Sequence, residues 1–308
     1  FYLPADTPSN ARRFLDIVHP EIAIFIKYEF WINLLSELRR RKVRSYIVSA
    51  IFRRNSVFFR PYGAMWRQAL ETFDTLFVQN VESKRLLSEI GFDNVVVAGD
   101  TRFDRVAQIA AAAQRVETIE RFRGGGRLFV AGSTWGPDEE ILLPLVNANP
   151  DVKFVIAPHE MDEGRIAHLM RDAKGGAVRY TQCDAATRFD DVQVLVLDTM
   201  GMLSSVYGSA TWAYVGGGFG VGIHNTLEAA TFGLPIAFGP NYGKFKEARD
   251  MVSLGCAVSV RTAGELAAWF APLRDDEETL RRASRTAKDY TARNQGATGI
   301  ILRSIFNS

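Results

Sequence analysis

Residues 211–235 read TWAYVGGGFGVGIHNTLEAATFGLP. TWAYV has the β-branched and aromatic make-up of a buried strand, and TLEAATFG reads as a helix halted by Gly233-Leu234-Pro235. Between them, residues 216–220 contain four glycines in five positions. Consecutive glycines after a strand let a ligand approach the backbone with no Cβ in the way, and free amides at the start of the next helix attract an anion. Phosphate is the natural occupant. His224 or Asn225 can cap the helix, while Glu228 lies in its first turn, where a carboxylate suits the paired hydroxyls of a ribose. The plainer reading is a tight strand-to-helix turn with Glu228 as a solvated acid favoured by the helix dipole. A dinucleotide GxGxxG fails in every register, since position six is Val221 or Ile223. GPNYGKF, from Gly239, fails as a P-loop because it is one residue short and lacks Ser or Thr after Lys244.

The same strand-then-helix rhythm extends outward. IAIFI, SYIVSA, TLFVQ, VVVAG, RLFVAGS, KFVIAP, VLVLD and PIAFG alternate with helical patterns such as WINLLSELRRRK, SKRLLSEIG and DEEILLPLVNAN. This predicts an α/β protein with parallel sheets covered by helices on both faces. A helix-like RVAQIAAAAQRVETIERF ends in the glycine cluster 124–126, which reads as a seam. About four strand–helix units precede it and about six follow, so two Rossmann-like, doubly wound domains facing a cleft are expected, over residues 1–123 and 124–290. Residues 291–308 are expected as a C-terminal helix packing back on the first domain, after a break at 294–296. FYLPADTPSNARRFL, which opens the sequence, reads as the tail of a strand, a loop and a capped helix. An amino-terminal part of the first domain is therefore expected to be missing.

The 308 residues carry 37 basic and 35 acidic side chains and 47% hydrophobic residues. Near-balanced charge gives no global reason to expect nucleic acid. Two cysteines, Cys183 and Cys256, without CxxC spacing, favour a reducing compartment and argue against thiolate metal sites. No apolar run approaches the ~18 residues of a membrane-spanning helix. His19 and His168 read as surface or core histidines, and no His-x-x-x-His pair or Asp-x-Asp suggests a metal.

Five blocks, in order, carry a resemblance: YLPADTPSNARRFL, KYEFWIN, AGDTRFD, DTMGML and GGGFGVGIHNTLEAATFGLPIAFGPNYGKFKEA. Together they resemble the 3-deoxy-D-manno-octulosonic acid (Kdo) transferases of lipopolysaccharide assembly, and they span Tyr2 to about Gly296. The resemblance implies a GT-B glycosyltransferase that moves Kdo, with inversion at the anomeric carbon, from CMP-Kdo to a lipid A precursor without cofactor or metal. It implies that Gly217, Gly218, Phe219 and the helix beginning near Asn225 take the leaving phosphate in place of a cation, with Glu228, Met200 and Gly201 in the same nucleotide-sugar site. Ser133, at another strand-to-helix turn, joins them as a binding candidate. Glu29 and Arg102 are implied as supporting residues. The proposed catalytic base, a Glu in a Gly-Glu block, falls before Phe1.

Three departures matter. Ile32 stands where the family usually has Pro. Arg102 replaces a Lys, keeping charge without its point-like geometry. APHEMDEGR stands where relatives often read Pro-Arg-His, so either His159 or Glu160 inherits a nucleotide or carboxylate contact. The run from Leu38 to Gln68 holds nine basic residues and no acid. Arg53, Arg54, Arg60 and Trp66 in its aromatic part suit an anionic membrane or phosphorylated glycolipid, at the cytoplasmic face of an inner membrane. Two other readings remain open: a UDP-sugar-dependent GT-B transferase or epimerase, and an inactive nucleotide-binding fragment with exposed strand edges.

Overall fold

The structure is a computed structural model and describes residues 2–306. Its contacts divide it into two compact units, one of residues up to Asp104 together with those from Asn294 onward, the other Arg105–Arg293.

The first unit holds a four-stranded parallel sheet: β1 (Ile22–Ile26), β2 (Arg44–Ala50), β3 (Thr75–Val78) and β4 (Val95–Val97), in the order 1-2-3-4. The helices of this unit that precede β4 are α1 (Pro8–Val18), α2 (Ile32–Arg40), α3 (Ala64–Leu70) and α4 (Val81–Ser88). Among the described strands the order runs one way only. Leu15, Leu35, Leu38, Leu70 and Leu87 bury one face of the sheet together with Phe25, Ile47 and Val95. The other face takes Ile301 and Ile305 of the last helix, α14 below, against Tyr46, Val48 and Phe77. On β1, Ile24 and Ile26 are exposed. Residues 2–7 are irregular, and the expected strand tail at Phe1 lies outside the described residues. Asp6 in this segment caps α2: its carboxylate accepts the amides of Asn33 and Leu34, each at 3.0 Å. Ile32 opens that helix, a position that Pro also fits because its amide needs no intrahelical partner.

α5 (Thr101–Ala112) carries the chain into the second unit, and residues 113–116 separate it from α6 (Glu117–Arg123), so the expected continuous helix is two. α6 belongs with the second unit: Phe122 packs edge-on to Phe189, and Arg121 and Arg123 donate to the carbonyls of Asp184, Thr187 and Ser209. The division by contacts thus falls ahead of the glycine cluster at which the sequence marks a seam.

The second unit continues with β5 (Leu128–Thr134), α7 (Gly136–Ala148), β6 (Lys153–Pro158), α8 (Glu163–Asp172), β7 (Ala177–Arg179), β8 (Val194–Val196), α9 (Leu203–Tyr207) and β9 (Trp212–Val215). It closes with α10 (Thr226–Thr231), β10 (Ile236–Phe238), α11 (Lys246–Ser253), β11 (Ala257–Ser259), α12 (Ala263–Asp275) and α13 (Glu277–Arg293). α14 (Ala297–Phe306) follows in the first unit, where Asp104 accepts the amides of Gly296 and Thr298. All seven strands of the second sheet are parallel, in the order 11-10-9-5-6-8-7. β5 and β9 are neighbours from which the chain winds outward in opposite directions, so their carboxyl ends form the topological switch point where such sheets bind ligands. Phe129, Phe154, Trp212 and Phe270 interlock beneath it.

Candidate functional site

At the switch point the backbones come close enough to require glycine. A Cβ on Gly216 would lie 2.2 Å from the Ser133 carbonyl oxygen. One on Gly218 would lie 2.6 Å from the backbone of Gly239, which follows β10. Gly217 has φ +90°, and Ser133 takes the left-handed conformation at φ 54°. Asn241 closes the seam, donating its amide to the Gly218 carbonyl at 2.8 Å and its side chain to that of Gly220 at 2.7 Å.

Asp138, fully buried in the first turn of α7, accepts from three donors: the Trp135 amide at 2.9 Å, the Gly217 amide at 2.9 Å and the Tyr214 hydroxyl at 2.7 Å. Burial and the adjacent carboxylate push the Tyr214 phenol well above its ordinary range, so it remains a donor. This corrects one expectation. The Gly217 N–H is not available to a phosphate, because Asp138 already takes it. Gly218 and Phe219 differ: among the described residues neither amide meets an acceptor, and Gly218 is buried while Phe219 is half-buried.

Asn225, not His224, caps α10, its side chain accepting the Leu227 amide. Glu228 is half-buried and held from two sides, by Ser204 Oγ of α9 at 2.9 Å and by Asn225 Nδ2 at 2.9 Å. Ser204 lies just beyond the loop after β8, where Met200 and Gly201 are exposed and Asp198 is fixed by the amide and hydroxyl of Thr181. α10 has only six residues, so its dipole is a small contribution beside the direct amides.

His159 and Glu160 follow β6 and are both exposed. The His159 ring stacks on Trp135 at 4.7 Å and on His224 at 4.3 Å, while the Trp135 indole donates to His224 Nε2 at 3.2 Å. Burial, and then the neighbouring His159, hold His224 below the ordinary imidazole range against the opposing pull of Asp138. Sequence reasoning missed Trp135, Asp138 as a partner of Gly217, Ser204 and Asn241.

The supporting residues lie in the first unit. Arg102 pairs through Nε with Asp100 Oδ2 at 2.9 Å beside the α14 cap, so AGDTRFD is a joint between sheet and helix. Glu29 is exposed and accepts the Trp31 indole at 2.7 Å. In the basic run, Phe52 and Phe58 are buried and, with Phe30, Phe59 and Trp66, form edge-to-face contacts inside the unit. Arg54 is paired with Glu89 at 2.7 Å. Arg53, Arg60, Tyr62 and Met65 are among the residues this segment leaves exposed.

Residues 1–105 match the family model described as 3-deoxy-D-manno-octulosonic-acid transferase. The whole chain aligns with a protein of that name from Bordetella pertussis, 27% identical over 314 residues, covering 99% of this chain and 73% of the relative. The chain is thus similar along its whole length to Kdo transferases. A Haemophilus influenzae Kdo transferase is 24% identical over 98% of this chain and 73% of its own length. The solved UDP-GlcNAc 2-epimerase of Neisseria meningitidis superposes with a TM-score of 0.67 at 16% identity, over 98% of this chain and 80% of that one. That likeness concerns the fold, which is the GT-B arrangement of two parallel α/β sheets. The family model and these relatives support a Kdo glycosyltransferase.

Proposed function

We propose that the second unit binds CMP-Kdo and that the enzyme transfers Kdo from it, with inversion, to a lipid A precursor. The observation that carries this reading is the pair of unbonded amides at Gly218 and Phe219 beside a Glu228 carboxylate fixed by Ser204 and Asn225. A buried N–H without an acceptor is unfavourable by roughly 1–3 kcal/mol, and a phosphate oxygen relieves that penalty. Glu228 can accept both ribose hydroxyls once they replace its present donors. The loop holding Met200 and Gly201 runs into α9, whose Ser204 touches Glu228, so base and ribose would be held by neighbouring residues.

In the transfer an acceptor hydroxyl attacks the anomeric carbon of Kdo, the bond from that carbon to the phosphate oxygen breaks, and CMP leaves with the electron pair. The hydroxyl proton goes to a general base. Charge gathers on the leaving phosphate, where fixed amide donors stabilise it without reorganising. The reaction is proposed to need no metal. Exposed Arg53 and Arg60, with Tyr62 and Met65, are proposed to rest on an anionic membrane at the cytoplasmic face of the inner membrane.

The test is transfer of labelled Kdo from CMP-Kdo to a lipid A precursor in the presence of EDTA, with calorimetric titration of CMP, UMP and UDP alongside. Chelator-resistant transfer and preference for CMP support the reading. Preference for UMP or UDP would move the enzyme to a UDP-sugar.

A further inference from the structure

His159, Trp135 and His224 come from the loops after β6, β5 and β9, three adjacent strands, and their rings meet beside the glycine turn. A Cβ on Gly217 would lie 2.9 Å from the His224 ring. Indole has a donor and no acceptor, so the Trp135 hydrogen bond fixes Nε2 of His224 as the unprotonated nitrogen. A second proton on His224 would set N–H against N–H. His224 is therefore the neutral member of the stack.

His159 is differently placed. It is exposed, its ring nitrogens have no protein partner among the described residues, and it stacks between the neutral His224 ring and the electron-rich Trp135 indole, whose face attracts a cation. Apart from Glu160, the charged groups around it already have partners. Asp138 holds Trp135, Gly217 and Tyr214. Arg165 is bonded to Glu139 at 2.7 Å and to the Thr134 carbonyl that also takes the His159 amide. Asp162 caps α8, and Glu160, next in the chain, is exposed. A buried carboxylate behind the turn makes an anion less welcome there unless a cation faces it, and the Arg165 guanidinium is already paired with Glu139, although its buried Nε meets no partner.

We propose that His159 is the anion contact at the mouth of this sheet and works only as an imidazolium, so that one proton sets the affinity for the donor. This rests on the donor-binding reading above, and it selects His159 over Glu160 as the residue that contacts the ligand. Histidine is the side chain whose charge changes between about pH 5 and 8. The donor's charges do not change there, since a phosphodiester and a carboxylate are both ionised. Binding should therefore take up a proton and weaken as pH rises.

The experiment uses the full chain and the methyl ester of CMP, a phosphodiester whose single charge is constant from pH 5.5 to 8.5. Calorimetry in two buffers of different ionisation enthalpy gives affinity and proton uptake. The wild type should lose about tenfold in affinity from pH 5.5 to 8.5, the worth of one charge-assisted hydrogen bond, and take up a proton on binding within that range. His159→Gln should bind weakly at all pH values with no uptake. In the wild type the His159 ring resonance should titrate at higher pH when the ester is bound. Equal pH slopes and equal uptake in the two proteins, or an unmoved ring titration, overturn the proposal while leaving the donor reading intact. If the uridine ester binds as well as the cytidine ester with the same His159-dependent slope, the proposal holds and the cytidine reading falls. If neither ester binds the wild type at any pH, both fall.

Discussion

Asp138 Oδ2 accepts the amide of Gly217 at 2.9 Å, tying the first turn of α7 to the turn that follows β9, 79 residues further along the chain. The contact makes a buried carboxylate the organiser of the ligand turn. Asp138→Ala should leave three donors unpaired in the interior and lower stability by about 2–5 kcal/mol, with Asp138→Asn losing less because it can still accept. Urea denaturation measures this, and a loss under about 0.5 kcal/mol would mean the carboxylate is dispensable.

Gly218 and Gly220 make a matched pair. A Cβ on Gly218 meets the Gly239 backbone at 2.6 Å, whereas on Gly220 the nearest atom is the Gly217 carbonyl oxygen at 3.7 Å. Gly218→Ala should cost about 1–3 kcal/mol by overpacking and remove CMP binding. Gly220→Ala should stay within about 0.5 kcal/mol of wild type. Equal behaviour of the two variants would separate the turn from ligand binding.

Glu228 offers two oxygens now occupied by Ser204 and Asn225. If it holds the ribose, wild type should prefer CMP to 2′-deoxy-CMP by about tenfold or more, the worth of a hydrogen bond to a charged group. Glu228→Gln should lose most of that preference. Titration of both nucleotides into both proteins reads it directly, and an unchanged preference would move the ribose elsewhere.

Stability should depend on pH through His224 and Glu37 in separate windows. His224 has its folded-state pKa lowered, so the neutral form is the one the fold accepts. Its contribution is complete above about pH 6.5, where the unfolded chain is also neutral, and declines as pH falls toward the lower folded value. His224→Asn should flatten the slope between pH 7 and 5. Glu37, hydrogen-bonded to Arg40 and Arg41, is lowered from 4.5 to about 2, so its contribution is lost as pH falls through that interval. Glu37→Gln should flatten only the acid limb. Thermal melting across pH checks both.

Arg53 and Arg60 are exposed, but Arg54 is paired with Glu89. Changing Arg53 and Arg60 to Glu should therefore weaken co-sedimentation with anionic vesicles without unfolding the unit, each lost charge being worth about 1 kcal/mol near the surface. Binding that survives the double change would dismiss the membrane role of this segment.

The strands legible in the sequence are those rich in Val, Ile and Phe, such as LFVAGST and KFVIAP, because a parallel strand buried on both faces needs a continuous apolar run. AVR and AVS, the short edge strands β7 and β11, carry no such run and were not legible. The glycine turn and its Asn225 cap could be read locally. The Trp135–His224 hydrogen bond spans 89 residues, and no local pattern announces it. Composition also misleads over which way rings point. Phe52, Phe58 and Trp66 sit among arginines in sequence, yet Phe52 and Phe58 are buried and Trp66 packs against them from the side. Asp138 looked like an ordinary helix-start acid and is one, since it caps α7; its grip on Gly217 follows from the pairing of β5 with β9.

The most direct test of the account is a crystal structure of the chain soaked with CMP. A phosphate oxygen is expected within hydrogen-bonding distance of the Gly218 and Phe219 amides, with the ribose hydroxyls on Glu228 and the His159 ring facing the phosphate. A nucleotide whose phosphate lies away from residues 218–219, with those amides still unbonded, would contradict it.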